Sequence, residues 1–263
     1  MTILDASAIL PLGAARPEPA ATRWTANAQM LGRLTGLLFL VTYVTSIPPV
    51  LSLYVPVLSD PAYIVGAASN AGLSWGALLE LVLIIANIGT AAALFPILKR
   101  HNEALALGFV ASRLMESAFI AIGILALLAI GTLKATATGA DTGAMLVVGK
   151  ALLAVHNWTF WIGPGFIVGI GNGMILGYLM YRTRLVPRVM SILGLVGGPL
   201  IVLSGAAIVL GYIPAGSWAQ GIATIPEFFW ELSLGIWLLV KGVNPAALAA
   251  LSSGRDAASV AAL

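Results

Sequence analysis

Long apolar stretches separated by short polar turns occupy most of the chain. Six of them are long enough to cross about 30 Å of hydrocarbon as α-helices. Their predicted ranges are Met30–Tyr54, Leu73–Leu98, Ala104–Leu133, Thr159–Tyr181, Val189–Tyr212 and Ile222–Val240. The first helix is expected to bend at Pro48 and Pro49, because proline breaks the helical hydrogen-bond ladder. The pattern predicts an all-α integral membrane protein, folded as a six-helix transmembrane bundle.

A seventh apolar stretch, residues 142–157, is shorter than the others. As an α-helix it would rise only about 24 Å. Counting it as a span would also move Arg182, Arg184 and Arg188 to the other side of the membrane. We therefore expect a short outer interfacial or re-entrant helix before helix four, starting after the cap-like Asp141. Direct continuation into helix four remains the alternative.

Basic residues fall mainly on one side of the predicted bundle. Because Lys and Arg are enriched in cytoplasmic loops, this asymmetry places both termini in the cytoplasm. The predicted outer side carries only Lys134 and Lys150, and Arg113 lies within helix three. The predicted inner side carries Arg16, Arg23, Arg33, Lys99, Arg100, Arg182, Arg184, Arg188, Lys241 and Arg255.

The two ends of the chain lack a sustained apolar run. Residues 1–28 are rich in Ala and Pro, and residues 242–263 read as exposed and loosely ordered. We expect both to be disordered cytoplasmic tails that flank a transmembrane domain over residues 29–241. The first tail also lacks the uninterrupted apolar core that a signal peptide needs.

Composition narrows the functional classes. Apolar residues make up 60% of the chain and charged residues 9%, against about 25% charged in a soluble domain. The lipid bilayer is therefore the predicted partner. With no cysteine and two histidines, the sequence predicts no metal site and no thiol chemistry. It contains no nucleotide-binding motif, so we expect no cofactor. The small, dispersed net charge of +3 argues against nucleic acid.

Ionisable side chains at membrane depth are costly, and they are the candidate functional residues. In helix two, Glu80 and Asn87 are seven residues apart and lie on roughly one face. In helix three, Arg113 and Glu116 are three apart and are therefore neighbours. Because the depths of these residues agree within about two helical turns, we predict an internal polar cluster.

Helix six adds Glu231 near its centre, with Glu227 one turn further out. The charges in the predicted cluster do not balance, because Glu80, Glu116 and Glu231 face only Arg113. One carboxylate can pair with the guanidinium. The others would be protonated, or would bind water or a cationic ligand, because burial disfavours the charged form. A purely structural ion pair with protonated glutamates is the alternative.

Glycine recurs every fourth residue in helix four, at Gly165, Gly169, Gly173 and Gly177. Such a stripe exposes the backbone and allows close helix packing where water provides no hydrophobic driving force. We interpret it as packing within the bundle. A seam between two copies is the alternative, and the sequence leaves the oligomeric state open. Gly163-Pro164-Gly165 is expected to kink the helix.

A G-x-S-x-G string occurs at residues 72–76, with Ser74 on the same predicted side as His156. This pattern marks the nucleophile of soluble hydrolases, where the serine occupies a strand-to-helix turn. No such turn is predicted here. With 29 glycines in the chain, the string is expected by chance about one time in six.

Several longer strings carry a family resemblance. They are SDPAY (59–63), GALLE (76–80), LFPILKRHNEALALGFVASRLMES (94–117), GPGF (163–166), RLVPR (184–188) and ELSLGIWLLVKG (231–242). Over roughly residues 28–244 the chain resembles the bacterial membrane family described as domain of unknown function 4386. The resemblance implies a small polytopic protein of the bacterial cytoplasmic membrane. It implies no activity and assigns no catalytic residue.

Three functions are compatible with these features. The first is binding or transport of a small apolar or cationic molecule through the intramembrane Glu/Arg cluster. The second is an intramembrane enzyme that acts on a lipid or isoprenoid, with a protonated glutamate as general acid. The third is a structural or partner-binding role, in which the charges only specify packing. The first predicts a cavity at mid-membrane that is lined by the cluster and open to one side.

Overall fold

The computed structural model describes residues 20–136 and 141–253, and within them the regular structure is entirely helical. Six helices in this part of the chain are long and apolar enough to cross a membrane. They are Arg23–Leu53, Ala71–Leu98, Glu103–Thr136, Thr142–Thr183, Arg188–Val209 and Trp218–Lys241. The predicted all-α fold with six spans is confirmed.

The individual elements follow the apolar pattern closely. The α-helices are α1 (Ala20–Pro48), α2 (Val55–Ser59), α3 (Ala71–Leu98), α4 (Glu103–Thr136), α5 (Thr142–Ile162), α6 (Gly177–Thr183), α7 (Arg188–Val209), α8 (Trp218–Lys241) and α9 (Pro245–Ser252). Wider π-helical turns occupy Pro49–Leu53, Gly163–Ile167 and Gly169–Leu176, and a 3-10 turn occupies Tyr63–Val65. The predicted bend at Pro48 and Pro49 coincides with the first π-helical turn.

The bundle has two ends of different character. At one end, which we call the basic end, the α3–α4 and α6–α7 turns meet the start of α1 and the end of α8. Arg100 stacks on Trp24 there, 4.2 Å from the ring centroid. The backbone N–H of Asn244 donates to the carbonyl of Leu185 over 2.9 Å. The opposite end carries the connection from α1 to α3, the end of α4 and the start of α5.

Residues 142–157 differ from the predicted separate helix before helix four. They begin α5, which continues through two π-helical segments into α6 without leaving helical structure. Asp141 caps the start, as expected, by accepting from the N–H of Gly143 over 2.8 Å. One face of this segment, which includes Met145 and Leu146, packs against the α1–α3 connection in a cluster around Tyr63. Protein contact explains the apolar character of this face, whereas Val147 on the other side is 69% exposed.

Both predicted tails contain helix. Residues 1–28 were expected to be disordered, but α1 begins at Ala20. In the other predicted tail, Pro245–Ser252 forms α9, which is capped by the side chain of Asn244. One face of α9 is buried, with Leu248 inaccessible to solvent. The remaining parts of the predicted tails, residues 1–19 and 254–263, lie outside the described residues.

The glycine stripe of helix four packs against α7. A Cβ atom on Gly169 would lie 2.6 Å from the carbonyl oxygen of Gly198, and one on Gly173 would overlap the Cα of Gly198. Gly177 faces the backbone of Leu195 across the same contact. Gly165 instead faces the side chain of Gln220 at the start of α8. The fourth span and α7 therefore approach until their backbones touch. Side chains at these glycine positions would prevent this contact.

Candidate functional site: an intramembrane cluster of carboxylates

Three of the predicted residues form a closed hydrogen-bonded triangle between α3 and α4. Arg113 Nη1 donates to Glu116 Oε2 over 2.8 Å, and this is the one ion pair found within the described residues. Arg113 Nη2 donates to Asn87 Oδ1 over 2.8 Å. Asn87 Nδ2 in turn donates to Glu116 Oε1 over 3.2 Å. All three side chains are buried, and the Glu116 carboxylate neutralises the charge of the Arg113 guanidinium.

Two further carboxylates approach this triangle from α8. Glu231 accepts a short hydrogen bond from Asn172 Nδ2, and Glu227 lies one helical turn away on the same face. Both interact electrostatically with Arg113 and Glu116. Glu227 is only 3% exposed, yet neither of its carboxylate oxygens has a hydrogen-bond partner among the described residues. The site therefore holds three carboxylates against one guanidinium.

The Glu227 carboxylate fits beside the backbones of two glycines. A Cβ on Gly173 would lie 2.7 Å from Glu227 Oε2, and one on Gly197 would lie 2.9 Å from it. Gly173 lies in the π-helical segment Gly169–Leu176 of the fourth span. Wider helical turns of this kind are frequent at functional sites. Here the segment also places Asn172 against Glu231.

These side chains line a cavity of about 530 Å³ in the middle of the bundle. Its polar wall is formed by Asn87, Arg113, Glu116, Glu227 and Glu231. The rest is mainly apolar and aromatic, with Tyr43, Phe160 and Phe228 as its rings. Residues from all six spans contribute to the lining, so the cavity belongs to the bundle as a whole.

One wall of the cavity reaches the outer face of the bundle. Leu51, in the π-helical turn after α1, is 71% exposed, and Val50 and Phe228 are also exposed, although all three line the cavity. Tyr43 holds this edge together by donating from its hydroxyl to the carbonyl of Phe228 over 2.6 Å. The exposed side chains at this edge are apolar, which suits contact with lipid better than contact with bulk water.

Glu80 does not join the cluster and has a site of its own. Its carboxylate accepts from the hydroxyl of Tyr54 over 2.8 Å. Burial, and then the neighbouring Glu80, raise the pKa of the Tyr54 phenol, so Tyr54 remains protonated and is the donor. Glu80 lines a smaller cavity of about 50 Å³ together with His156 and Thr159. Both cavities are bordered by Leu83, so the two sites are neighbours.

The elements of the G-x-S-x-G hypothesis are not brought together. Ser74 is exposed on the surface of α3. His156 is buried, with Nδ1 3.3 Å from the carbonyl oxygen of Gly123, and its ring packs edge-on against Tyr54. The histidine therefore contacts the Glu80 site and not the serine.

The structure adds residues that the charge pattern did not assign to the cluster. The sequence places Glu227 one turn from Glu231, but the charge pattern alone does not make it a member of the cluster. The signal for Asn172 is a polar amide in an apolar, glycine-rich helix. Tyrosine is common in membrane proteins, so neither Tyr43 nor Tyr54 stands out in the sequence.

The fold and this buried site define a multi-pass, all-helical membrane protein with an internal polar cavity. The chain matches the model of the family described as Domain of unknown function (DUF4386) over residues 34–242. Because this match covers most of the chain, the protein belongs to that family. No curated protein and no solved structure matches the chain.

Proposed function

We propose that the central cavity binds a small lipophilic cation and that the protein transports it or holds it within the membrane. The observation that carries this proposal is the buried Glu227 carboxylate, for which the described residues provide no hydrogen-bond partner, beside an Arg113 guanidinium that is already paired with Glu116. With Glu116 paired to Arg113, a monovalent cationic group placed between Glu227 and Glu231 would offset one of the two remaining carboxylates, and protonation of the other would balance the charge of the site. Burying carboxylates without such compensation is unfavourable.

The rest of the cavity fits the apolar part of such a ligand. Tyr43, Phe160 and Phe228 present aromatic rings beside the carboxylates, and ring faces attract organic cations. The exposed apolar edge at Leu51 provides a lateral route from the bilayer. A ligand that partitions into lipid would therefore reach the site without crossing bulk water.

Binding is tested with tetraphenylphosphonium and its neutral analogue triphenylphosphine oxide on the purified full-length protein, by isothermal titration calorimetry. We expect the cation to bind and the neutral compound to bind much more weakly. Glu227→Gln and Glu231→Gln should each weaken cation binding by roughly tenfold. Glu103→Gln removes an exposed carboxylate at the start of α4 and is the matched control. Equal affinity in all three variants would refute the proposal.

Transport is separated from binding in proteoliposomes. Uptake of tetraphenylphosphonium driven by an imposed pH gradient, and lost in Glu227→Gln, supports a proton-coupled transporter. Binding without gradient-driven uptake supports a binding protein instead.

The same geometry supports an intramembrane enzyme as a second candidate. Glu227 is a buried carboxyl group close to a lipid-facing opening, and a carboxylic acid kept neutral by burial is a suitable general acid. This function predicts that lipid or isoprenoid profiles change on deletion and are not restored by Glu227→Gln. Unchanged profiles would exclude it.

For the orientation, we propose that both termini face the cytoplasm of a bacterial cell. The support is the collection of basic residues at the basic end, where both ends of the bundle also lie. The cytoplasmic membrane is the corresponding location, as the family resemblance implies.

A further inference from the structure

A second groove lies at the basic end, separate from the central cavity. It encloses about 520 Å³ where the α6–α7 turn meets the α8–α9 turn. Its cationic side chains are Arg184, Arg188 and Lys241, and Trp237 and Asn244 lie beside them. The groove and the central cavity share no lining residue.

Contacts between the two turns preform this groove. The N–H of Asn244 donates to the carbonyl of Leu185 over 2.9 Å. The side chain of Asn244 accepts from the N–H of Ala246 over 3.0 Å and so caps α9. Leu185, Val186 and Val243 are buried beneath the two turns. The groove therefore keeps its shape without a ligand.

No described carboxylate neutralises the positive charge of the groove. Within residues 20–136 and 141–253, no carboxylate forms an ion pair with Arg184, Arg188 or Lys241. The Nε atom of Arg184 is buried and has no hydrogen-bond partner in that part of the chain. The left-handed backbone of Arg184, with φ of 58°, ends α6 as its C-cap.

Backbone donors add to this charge. α7 begins at Arg188, and its N-cap residue, Pro187, provides no side-chain cap. The N–H groups of Met190 and Ser191 donate to the carbonyl of Pro187, so the N–H groups of Arg188 and Val189 are the ones that this helix start offers to an anion. Together with the guanidinium groups, they are suited to the oxygen atoms of a phosphate.

The groove also borders the lipid-facing surface. Val189, next to Arg188, is 77% exposed, and Val240, next to Lys241, is 63% exposed. Trp237 is half-buried in the wall, and indole rings favour the level of lipid head groups. A phosphate in the groove would thus have acyl chains beside exposed apolar side chains.

We propose that this groove binds the phosphate of an anionic phospholipid head group. Arg184 and Arg188 hold the phosphate oxygens, Lys241 supplements the charge, and the acyl chains lie along α7 and α8. Basic pockets between transmembrane helices bind anionic lipids in this way. Free phosphate has the same binding chemistry but would gain nothing from the apolar flanks.

The test uses the full-length protein in detergent, titrated with short-chain phosphatidylglycerol or phosphatidylcholine, with bound lipid counted by native mass spectrometry. The groove variant combines Arg184→Gln, Arg188→Gln and Lys241→Gln. The matched control combines Arg23→Gln, Lys99→Gln and Arg182→Gln, which removes three exposed charges at the same end but outside the groove.

We expect phosphatidylglycerol to bind the wild-type protein in preference to phosphatidylcholine. Its affinity should fall roughly a hundredfold in the groove variant and by less than threefold in the control. If the groove variant does not fold, each single substitution is compared with Arg182→Gln in the same assay. Equal losses in the groove and control variants would show a general surface-charge effect and overturn the proposal. Displacement of the lipid by millimolar inorganic phosphate would make free phosphate the ligand and also overturn it.

Discussion

At the scale of single residues, the Arg113–Glu116 ion pair is predicted to stabilise the fold mainly because either charge would be costly to bury without the other. Replacing Arg113 alone with Leu leaves the buried Glu116 carboxylate unpaired, which should cost about 3–5 kcal/mol in the free energy of unfolding. Replacing both residues with Leu also removes the Glu116 carboxylate, so that only Glu227 and Glu231 remain without a cation, and should recover part of that loss. Chemical unfolding of the two variants in detergent measures the difference. A double variant less stable than Arg113→Leu would contradict this account.

The Tyr54–Glu80 hydrogen bond gives a second prediction. Tyr54→Phe removes the one donor found for the Glu80 carboxylate in the described part of the chain. Because a buried acceptor without its partner costs about 1–3 kcal/mol, the variant should unfold at a correspondingly lower denaturant concentration. Tyr212→Phe, at a tyrosine that is 79% exposed, is the control and should be neutral. A neutral Tyr54→Phe would show that Glu80 does not depend on this bond.

The sequence predicts part of the site, for a local reason. Arg113 and Glu116 are three residues apart on one helix, so their contact follows from helix geometry alone. The direction in which Glu80 faces depends on the rotation of α3 about its axis in the bundle. It also depends on Tyr54, which lies in the connection from α1 to α3. Asn172 depends on the π-helical turns of helix four. Neither rotation nor helical widening is visible in the hydrophobic pattern.

At the scale of elements, the glycine contact between helix four and α7 makes a sharp prediction. Gly173→Ala or Gly198→Ala would place a Cβ atom against backbone, which cannot move aside as a flexible side chain can. The two helices must then separate, and overpacking of this kind typically costs about 1–3 kcal/mol. Gly221→Ala, in α8, meets no atom within 4 Å and should be neutral or slightly stabilising. Thermal unfolding of the three variants provides the comparison, and equal effects would contradict it.

The elements themselves are predictable because each needs an apolar length that matches the bilayer. The exceptions are segments whose apolar residues contact protein instead of lipid. Met145 and Leu146 in α5 pack against the cluster around Tyr63, and Leu248 in α9 packs into the core at the basic end. Hydropathy does not distinguish these two environments. For that reason the hydrophobic pattern predicts an interfacial helix at the start of α5 and a tail where α9 forms.

At the scale of the whole molecule, the two proposed sites differ in charge and in position. The central cavity is rich in carboxylates and is bordered by α1 and α8. The basic groove lies at one end, between the α6–α7 and α8–α9 turns. α8 contributes to both, with Glu227 and Glu231 in the cavity and Trp237 and Lys241 in the groove. A cation in the cavity and an anionic head group in the groove are thus compatible in one molecule.

The proposed orientation yields the last prediction, which the composition makes easy to test. The chain contains no cysteine, so a single introduced thiol is the only one that a maleimide can label. Ala67→Cys and Ala215→Cys are at exposed positions of the opposite end, and Ala104→Cys and Ser253→Cys at exposed positions of the basic end. Because lysine and arginine are retained on the cytoplasmic side, a membrane-impermeant maleimide should label the first two in intact spheroplasts. The other two should be labelled only after permeabilisation. Labelling of Ala104→Cys or Ser253→Cys in intact spheroplasts would reverse the orientation and place the basic groove in the outer leaflet.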